Sequence, residues 1–324
     1  MQQFRSIHYL RAVAALMVVV FHIFSHASAM VAEYQYVVWM RGGVDLFFVI
    51  SGFVMVQSTA GRAVTPGGFM QNRVLRIVPL YWLATLTAMM QTPGLWLFKL
   101  QSLLFIPALN PGTDMMRPLL SPGWTLNYEM FFYAVFALTL LTKEANRLAI
   151  MALTFAGIVL AGQVFSADGV MEFYSEPMIL EFVAGMAIAR FGLRLPVWMV
   201  PLGFAAMAAF QHSGVDRLFS LGLPAAVILA GALSAEARLP KIAAAELLGS
   251  ASYSIYLFHL FALGLAFDLW PLLGGNKPLF VAAAFSIMVL TGCAVYWALE
   301  RQFITLGAWI RTRGQSRALA LTNP

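Results

Sequence analysis

The chain alternates along its whole length between long apolar stretches and short polar connections, and this constrains its fold more than any other feature. Crossing the hydrocarbon of a bilayer as a helix takes about 17 to 25 predominantly apolar residues. Ten such stretches run approximately over residues 7–27, 43–60, 76–92, 123–142, 147–164, 177–193, 196–211, 218–235, 252–270 and 278–299. A shorter apolar piece, 95–107, sits in a connection punctuated by Pro93, Pro107, Pro111, Pro118 and Pro122. It reads as a folded loop with an interfacial helix, not as an eleventh crossing. Only 10% of the residues are charged, against roughly a quarter in soluble domains. That excludes an ordinary soluble domain, a disordered chain, a coiled coil and a nucleic-acid-binding module. The single cysteine, Cys293, excludes a disulfide framework and a Cys-rich metal site, and neither a metal nor a permanently bound cofactor is expected. No repeat, low-complexity segment or compositional shift divides the chain. The expectation is therefore an all-α integral membrane protein, a bundle of about ten transmembrane helices, formed by one domain over 1–324 with a short basic tail at about 301–324.

The net charge of +6 supports this and orients it. With the amino terminus in the cytoplasm, only Arg41, Lys99, Arg117, Arg217 and Lys277 fall outside. The other Lys and Arg residues fall inside, including Arg5, Arg11, Arg62, Arg73, Arg76 and, in the tail, Arg311, Arg313 and Arg317. Glu33, Asp114, Asp168, Glu172, Glu176, Asp216 and Asp268 lie in the outer loops. Cytoplasmic loops carry the Lys and Arg excess, so both termini are expected in the cytoplasm, with an even number of crossings. Arg5, the apolar run and Ala27-Ser28-Ala29 also fit a cleavable signal peptide. Arg11 and His22 interrupt that run and favour a retained helix.

A charged side chain inside a membrane is costly enough that each one is a candidate functional group. Arg11 and His22 lie eleven positions apart, which returns to within about 20° of the same helix face some 16 Å further along. The ordinary alternative has Arg11 snorkelling to headgroups and His22 bonding a neighbouring helix. Asp45, in Gly42-Gly43-Val44-Asp45, sits at a depth similar to His22 and can orient an imidazole acting as a base; the alternative is a clamp on Arg41. The glycines there permit close helix approach. Arg73 and Arg76, one helical turn apart, can grip phosphate through forked hydrogen bonds or simply meet lipid headgroups. Glu129, with Asn127 and Tyr133 nearby, would be expensive facing lipid, whereas Trp124 is what an interfacial aromatic belt supplies anyway. Tyr256 and His259 share a face at i and i+3, where a helix-packing hydrogen bond is the plain reading of His259.

Five phrases in order then carry a resemblance: Arg11 with His22; Gly42 to Phe53; Asn72-Arg73-x-x-Arg76-Ile77-x-Pro79-x-Tyr81; Trp124-Thr125-Leu126-x-x-Glu129-x-x-Phe132-Tyr133; and Ser252-Tyr253-Ser254-Ile255-Tyr256-Leu257-x-His259. Together they resemble the acyltransferase-3 family of bacterial inner-membrane O-acyltransferases. The resemblance covers Arg11 to the Glu300 region and is similar to members that modify exopolysaccharide or lipopolysaccharide. It implies acyl-coenzyme A, usually acetyl-coenzyme A, as co-substrate and a glycan or lipid-linked sugar as acceptor, with membrane lipids around the protein. It implies His22 as the catalytic imidazole. Arg11 is its partner in the same motif and, with Arg73 and Arg76, a contact for coenzyme A. Asp45 or Glu129 would orient His22, and Trp124, Tyr133, Tyr256 and His259 would meet substrate. Gln302 follows Glu300-Arg301 where family members commonly carry Pro, so no role is carried over to Glu300. A glycan transporter using the buried polar residues as a pathway is the rival reading, and the missing inverted repeat argues against it. A covalent acyl-enzyme would fall on His22 or Ser51 rather than on Cys293.

Overall fold

The computed structural model describes residues 4–27, 35–113 and 115–309. Glu33, Asp114, Arg311, Arg313, Arg317 and the Ser28-Ala29 part of the signal-like site lie outside the described residues. Among the described residues the apolar stretches become α-helices: α1 (Arg5–His26), α2 (Gly43–Thr59), α3 (Pro66–Met90), α4 (Trp96–Leu103), α5 (Trp124–Thr139), α6 (Glu144–Val164), α7 (Gly169–Tyr174), α8 (Leu180–Phe191), α9 (Met199–Phe210), α10 (Leu223–Ser234), α11 (Ala243–Asp268) and α12 (Lys277–Val295). Every one of the ten expected stretches contains a helix, and the short piece at 95–107 folds as the eight-residue α4 within a loop. That loop continues into a two-stranded antiparallel pair, β1 (Leu109–Asn110) and β2 (Met115–Met116).

Length and composition alone qualify five helical runs to cross a membrane: Arg5–His26, Val38–Thr59, Glu144–Val164, Ala243–Asp268 and Lys277–Trp309. The other stretches are shorter or more polar. Helix α9 has 12 residues, and α8 and α10 gain length only from the single turns at Pro177–Ile179 and Leu218–Gly222 that precede them. Helix α3 is long enough, but Gln71, Asn72, Arg73 and Arg76 occupy its first half.

Helix ends follow their local chemistry. Thr65 caps α3 by accepting from the Gly68 N–H at 3.2 Å, with Pro66 at the first helical position. Asn276 does the same for α12. Helix α1 has no cap of its own, because Phe4 stands at that position. Glu236, in the connection between α10 and α11, supplies one instead. Its carboxylate accepts from the Arg5 and Ser6 N–H groups at 2.7 and 2.9 Å and from the Ser6 hydroxyl at 2.5 Å. A negative charge at a helix amino terminus also meets the positive end of the helix dipole.

Helix α1 packs against α2 and α11, α2 against α8, α11 against α12, and α9 against α10. Gly52 and Gly185 explain the α2–α8 contact. A Cβ on Gly52 would fall 1.9 Å from the Phe182 carbonyl oxygen, and one on Gly185 would fall 1.9 Å from that of Val49. The two backbones therefore touch, as small residues allow between membrane helices. Aromatic rings fill the space beside this crossing, with Phe182 stacked on Phe48 at 4.4 Å and on Phe132 at 4.4 Å.

Candidate active site

A cavity of about 490 Å³ opens among α1, α2, α3, α5 and α11. Along α2 its wall runs from Ser58 to Val44, which at the helical rise is about 21 Å. Along α11 it runs from Gly249 to Tyr256. At the end where α1 begins it is lined by His8, Arg62, Arg73 and Arg76. Phe47, Tyr256 and Thr125 line it too; the Phe47 and Tyr256 rings are 5.8 Å apart. The Tyr256 hydroxyl donates to the Pro122 carbonyl at 3.0 Å and sits 2.8 Å from the Thr125 hydroxyl.

The three arginines expected to meet the donor all line this one cavity. Arg11 is held by donation from Nε to the Ser252 hydroxyl at 3.1 Å. The Arg73 guanidinium lies over the rings of Phe69 and Tyr133, at 5.7 and 5.9 Å from their centroids, and its Nε has no hydrogen-bond partner. Among the described residues neither Arg73 nor Arg76 is held in an ion pair. Such cations are available to an anion. Glu129 and Tyr133 are on the same wall. The Glu129 carboxylate accepts from the Tyr133 hydroxyl and, at 3.1 Å, from the Ser51 hydroxyl.

Several expected partners are elsewhere. Asp45 does not orient His22, nor does it clamp Arg41. It is fully buried and its two carboxylate oxygens accept from Arg217 Nε and Nη2 at 3.0 and 2.9 Å. A carboxylate with no exposure needs a counter-charge, and Arg217, just before the π-helical turn Leu218–Gly222, reaches it as a fork. Glu181 lies beside both groups in the same buried cluster. Glu129 likewise bonds Ser51 and Tyr133 rather than His22. Trp124 does not line the cavity: its ring packs edge-on to Tyr128 and lies 5.8 Å from the Arg217 guanidinium carbon. Tyr133 and Tyr256 are cavity residues, but His22 and His259 are not.

Those two imidazoles form their own site. Their ring centroids are 4.6 Å apart. His22 Nδ1 is 2.9 Å from the Val18 carbonyl oxygen, and His259 Nδ1 is 2.6 Å from that of Tyr256. His259 lies three residues beyond Tyr256 on α11, about 4.5 Å further along the axis. The cavity that holds the arginines therefore reaches Tyr256, whose ring is 5.9 Å from that of His259, but is not lined by His22.

Sequence reasoning missed Arg217 and Glu181. Arg217 had a visible signal, being a cation abutting the apolar stretch that begins at residue 218. Glu181, four residues into the stretch at 177–193, was a carboxylate inside an apolar run. Glu300 is also a finding. It is buried in the π-helical turn Tyr296–Glu300 and accepts from the Ser254 hydroxyl at 2.5 Å. Single π turns recur at functional sites.

A family model described as an acyltransferase domain matches residues 4–298. The chain is 40% identical over 285 residues to the exopolysaccharide production protein ExoZ of Rhizobium meliloti (strain 1021), covering 82% of this chain and 90% of that one. It is 27% identical over 302 residues to BcsY of Komagataeibacter xylinus, named as a membrane-bound transacylase, covering 79% of this chain and 72% of that one. No solved structure matches it.

Proposed function

The chain belongs to the acyltransferase family whose model spans residues 4–298, and from that premise we propose that it moves an acyl group, usually acetyl, from acyl-coenzyme A to a hydroxyl of an exported or surface polysaccharide. It is a multi-pass membrane protein and a transferase of acyl groups. The setting we propose is the bacterial inner membrane, with the arginine end of the cavity facing the cytoplasm, where coenzyme A is found. ExoZ, a relative over nine-tenths of its own length, is an exopolysaccharide production protein, which supports the choice of acceptor.

One observation carries the reading: the long cavity has unpaired arginines at one end and stops one helical turn short of a pair of imidazoles. Arg62, Arg73 and Arg76 would hold the donor phosphates by charge-assisted hydrogen bonds, and the pantetheine arm would run along α2 and α11. The thioester then arrives beside Tyr256 and Thr125, whose hydroxyls bond each other and the Pro122 carbonyl. For the acyl carbon to reach an alcohol held at His22, the Tyr256 ring must swing aside. His22 Nε2 takes the alcohol proton as the oxygen attacks the carbonyl carbon, the carbon–sulfur bond breaks, and the proton returns to the thiolate.

The test is thiol release by the purified protein in lipid nanodiscs, with acetyl-coenzyme A and acceptor glycan. His22→Ala should abolish acceptor-dependent release while donor binding persists. Arg76→Ala should raise the apparent KM for acetyl-coenzyme A about tenfold, the loss of one charge-assisted contact. Full activity in His22→Ala would remove the imidazole from the reaction, and glycan movement without thioester turnover would favour transport instead.

A further inference from the structure

We propose that His22 and His259 work as one proton-holding unit, His259 acting as a positioning residue that receives the positive charge developing on His22. The inference rests on the acyl-transfer reading above. Its starting point is the tautomers. A carbonyl oxygen only accepts, so each Nδ1 bonded to one must carry the hydrogen. Val18 fixes this for His22 and Tyr256 for His259. Each Nε2 therefore presents a lone pair. For His259 that lone pair is an anomaly, because the residue is fully buried and its Nε2 has no hydrogen-bond partner. Buried acceptors of this kind are rare and costly.

The neighbouring ring explains it. His22 lies 4.6 Å away between centroids, at an interplanar angle of 55°. In the resting state both imidazoles are neutral and the two lone pairs have nothing to exchange. Once His22 has taken the proton from the acceptor alcohol, it becomes a donor, and a small turn of either ring, their centroids being 4.6 Å apart, would give the orphaned Nε2 of His259 the partner it lacks. An interaction absent in the ground state and present as charge develops lowers the barrier rather than merely tightening binding.

The surroundings leave His259 as the group for this role. Among the described residues, the titratable and charged neighbours of the pair are His26, with its ring 5.6 Å from that of His22, the Arg117 guanidinium from the loop before α5, and Tyr256. All are neutral or cationic. The carboxylates that usually steady a catalytic imidazole are engaged elsewhere, Asp45 on Arg217 and Glu129 on Ser51 and Tyr133. The atoms balance without any other reactant: the alcohol O–H breaks, the ester C–O forms, the C–S bond breaks, and the proton shared by the imidazoles leaves with the thiol.

The experiment is the pH dependence of kcat for wild type, His259→Gln and His259→Ala in nanodiscs, with thermal unfolding recorded for each. A glutamine oxygen can accept from His22 but cannot hold the proton, so His259→Gln should fall between the other two. The expected loss in His259→Ala is about 10- to 100-fold in kcat, with KM for acetyl-coenzyme A unchanged and the acid limb of the profile moved to lower pH. A purely structural role would lower the amount of folded enzyme but leave the limb in place, and that result, or an unchanged kcat, overturns the proposal. His22→Ala separates the two readings. If it is inactive while His259→Ala is normal, only the pairing fails; if His22→Ala is active, the acyl-transfer role of His22 fails with it.

Discussion

Asp45 carries the sharpest prediction, because the sequence offers it as a catalytic partner and the structure ties it to Arg217. Breaking a buried ion pair by removing one partner costs about 3–5 kcal/mol, since the other charge is left uncompensated. The two sides of this pair are unequal. In Asp45→Asn the Arg217 guanidinium, whose side chain keeps 27% of its surface, still has Glu181 beside it, so the loss should sit near the low end, about 3 kcal/mol. In Arg217→Met, Asp45 and Glu181 are both left fully buried with no cation, and the loss should reach about 5 kcal/mol. The double variant Asp45→Asn/Arg217→Met removes one charge of each sign. It should be less destabilised than Arg217→Met alone, the non-additivity expected of groups in contact. Unfolding midpoints in one detergent give the order, and thiol release per folded molecule gives the activity. On this reasoning activity follows folded protein in all three variants. An Asp45→Asn protein that unfolds at the wild-type midpoint yet has lost its turnover would refute it and return Asp45 to the chemistry.

Three further outcomes follow from the geometry. Gly52→Ala puts a methyl group 1.9 Å from the Phe182 carbonyl oxygen, so α2 and α8 must separate; the cost should exceed the usual overpacking range of about 1–3 kcal/mol, whereas Gly157→Ala, with open space around it, should leave the midpoint unmoved. Cys293 does not line the cavity, so Cys293→Ser should transfer acyl groups at the wild-type rate, and thiol alkylation that inhibits the parent enzyme would contradict that. Burial acts to raise the Glu236 carboxyl, but the Ser6 hydroxyl, the Ser6 N–H and the Arg5 N–H override it and hold the group below the ordinary carboxylate range. A depressed carboxyl stabilises the fold above its unfolded value and loses that contribution as pH falls through its folded one. Glu236→Gln should therefore cost about 1 kcal/mol at neutral pH, as lost helix caps do, and the gap to wild type should close in acid; a gap independent of pH would show that the charge is not what caps α1.

What the sequence made legible was period and length. Apolar runs locate helices because the backbone must bond within itself wherever water is absent, and that held for all ten stretches. The arginines were legible for a related reason: Arg11, Arg73 and Arg76 interrupt apolar helices, and three cations are tolerated there only around a shared polar space. Pairing was not legible. Asp45 and His22 share a depth, yet depth along two helices says nothing about azimuth, and the residue that answers Asp45 comes from 172 positions further along the chain. The same holds for Glu236 and its partners Arg5 and Ser6 on α1, which lie 231 and 230 positions before it.

The placement of α1 unites these parts. It carries Arg11 at the donor end and His22 about 16 Å away, and no residue of its own fixes its start. Glu236 caps it, Ser252 holds Arg11, and Gly249 lets α11 approach so closely that a Cβ there would lie 2.3 Å from the His8 carbonyl oxygen. All three contacts come from α11 or the connection just before it, and α11 also carries Tyr256 and His259. A shift of α11 along its axis would therefore move Arg11 and the imidazole pair together. The spacing between Arg11 and the imidazoles is built into one helix pair, while Arg73 and Arg76 are set by α3, and the mobile part the path requires is the Tyr256 ring.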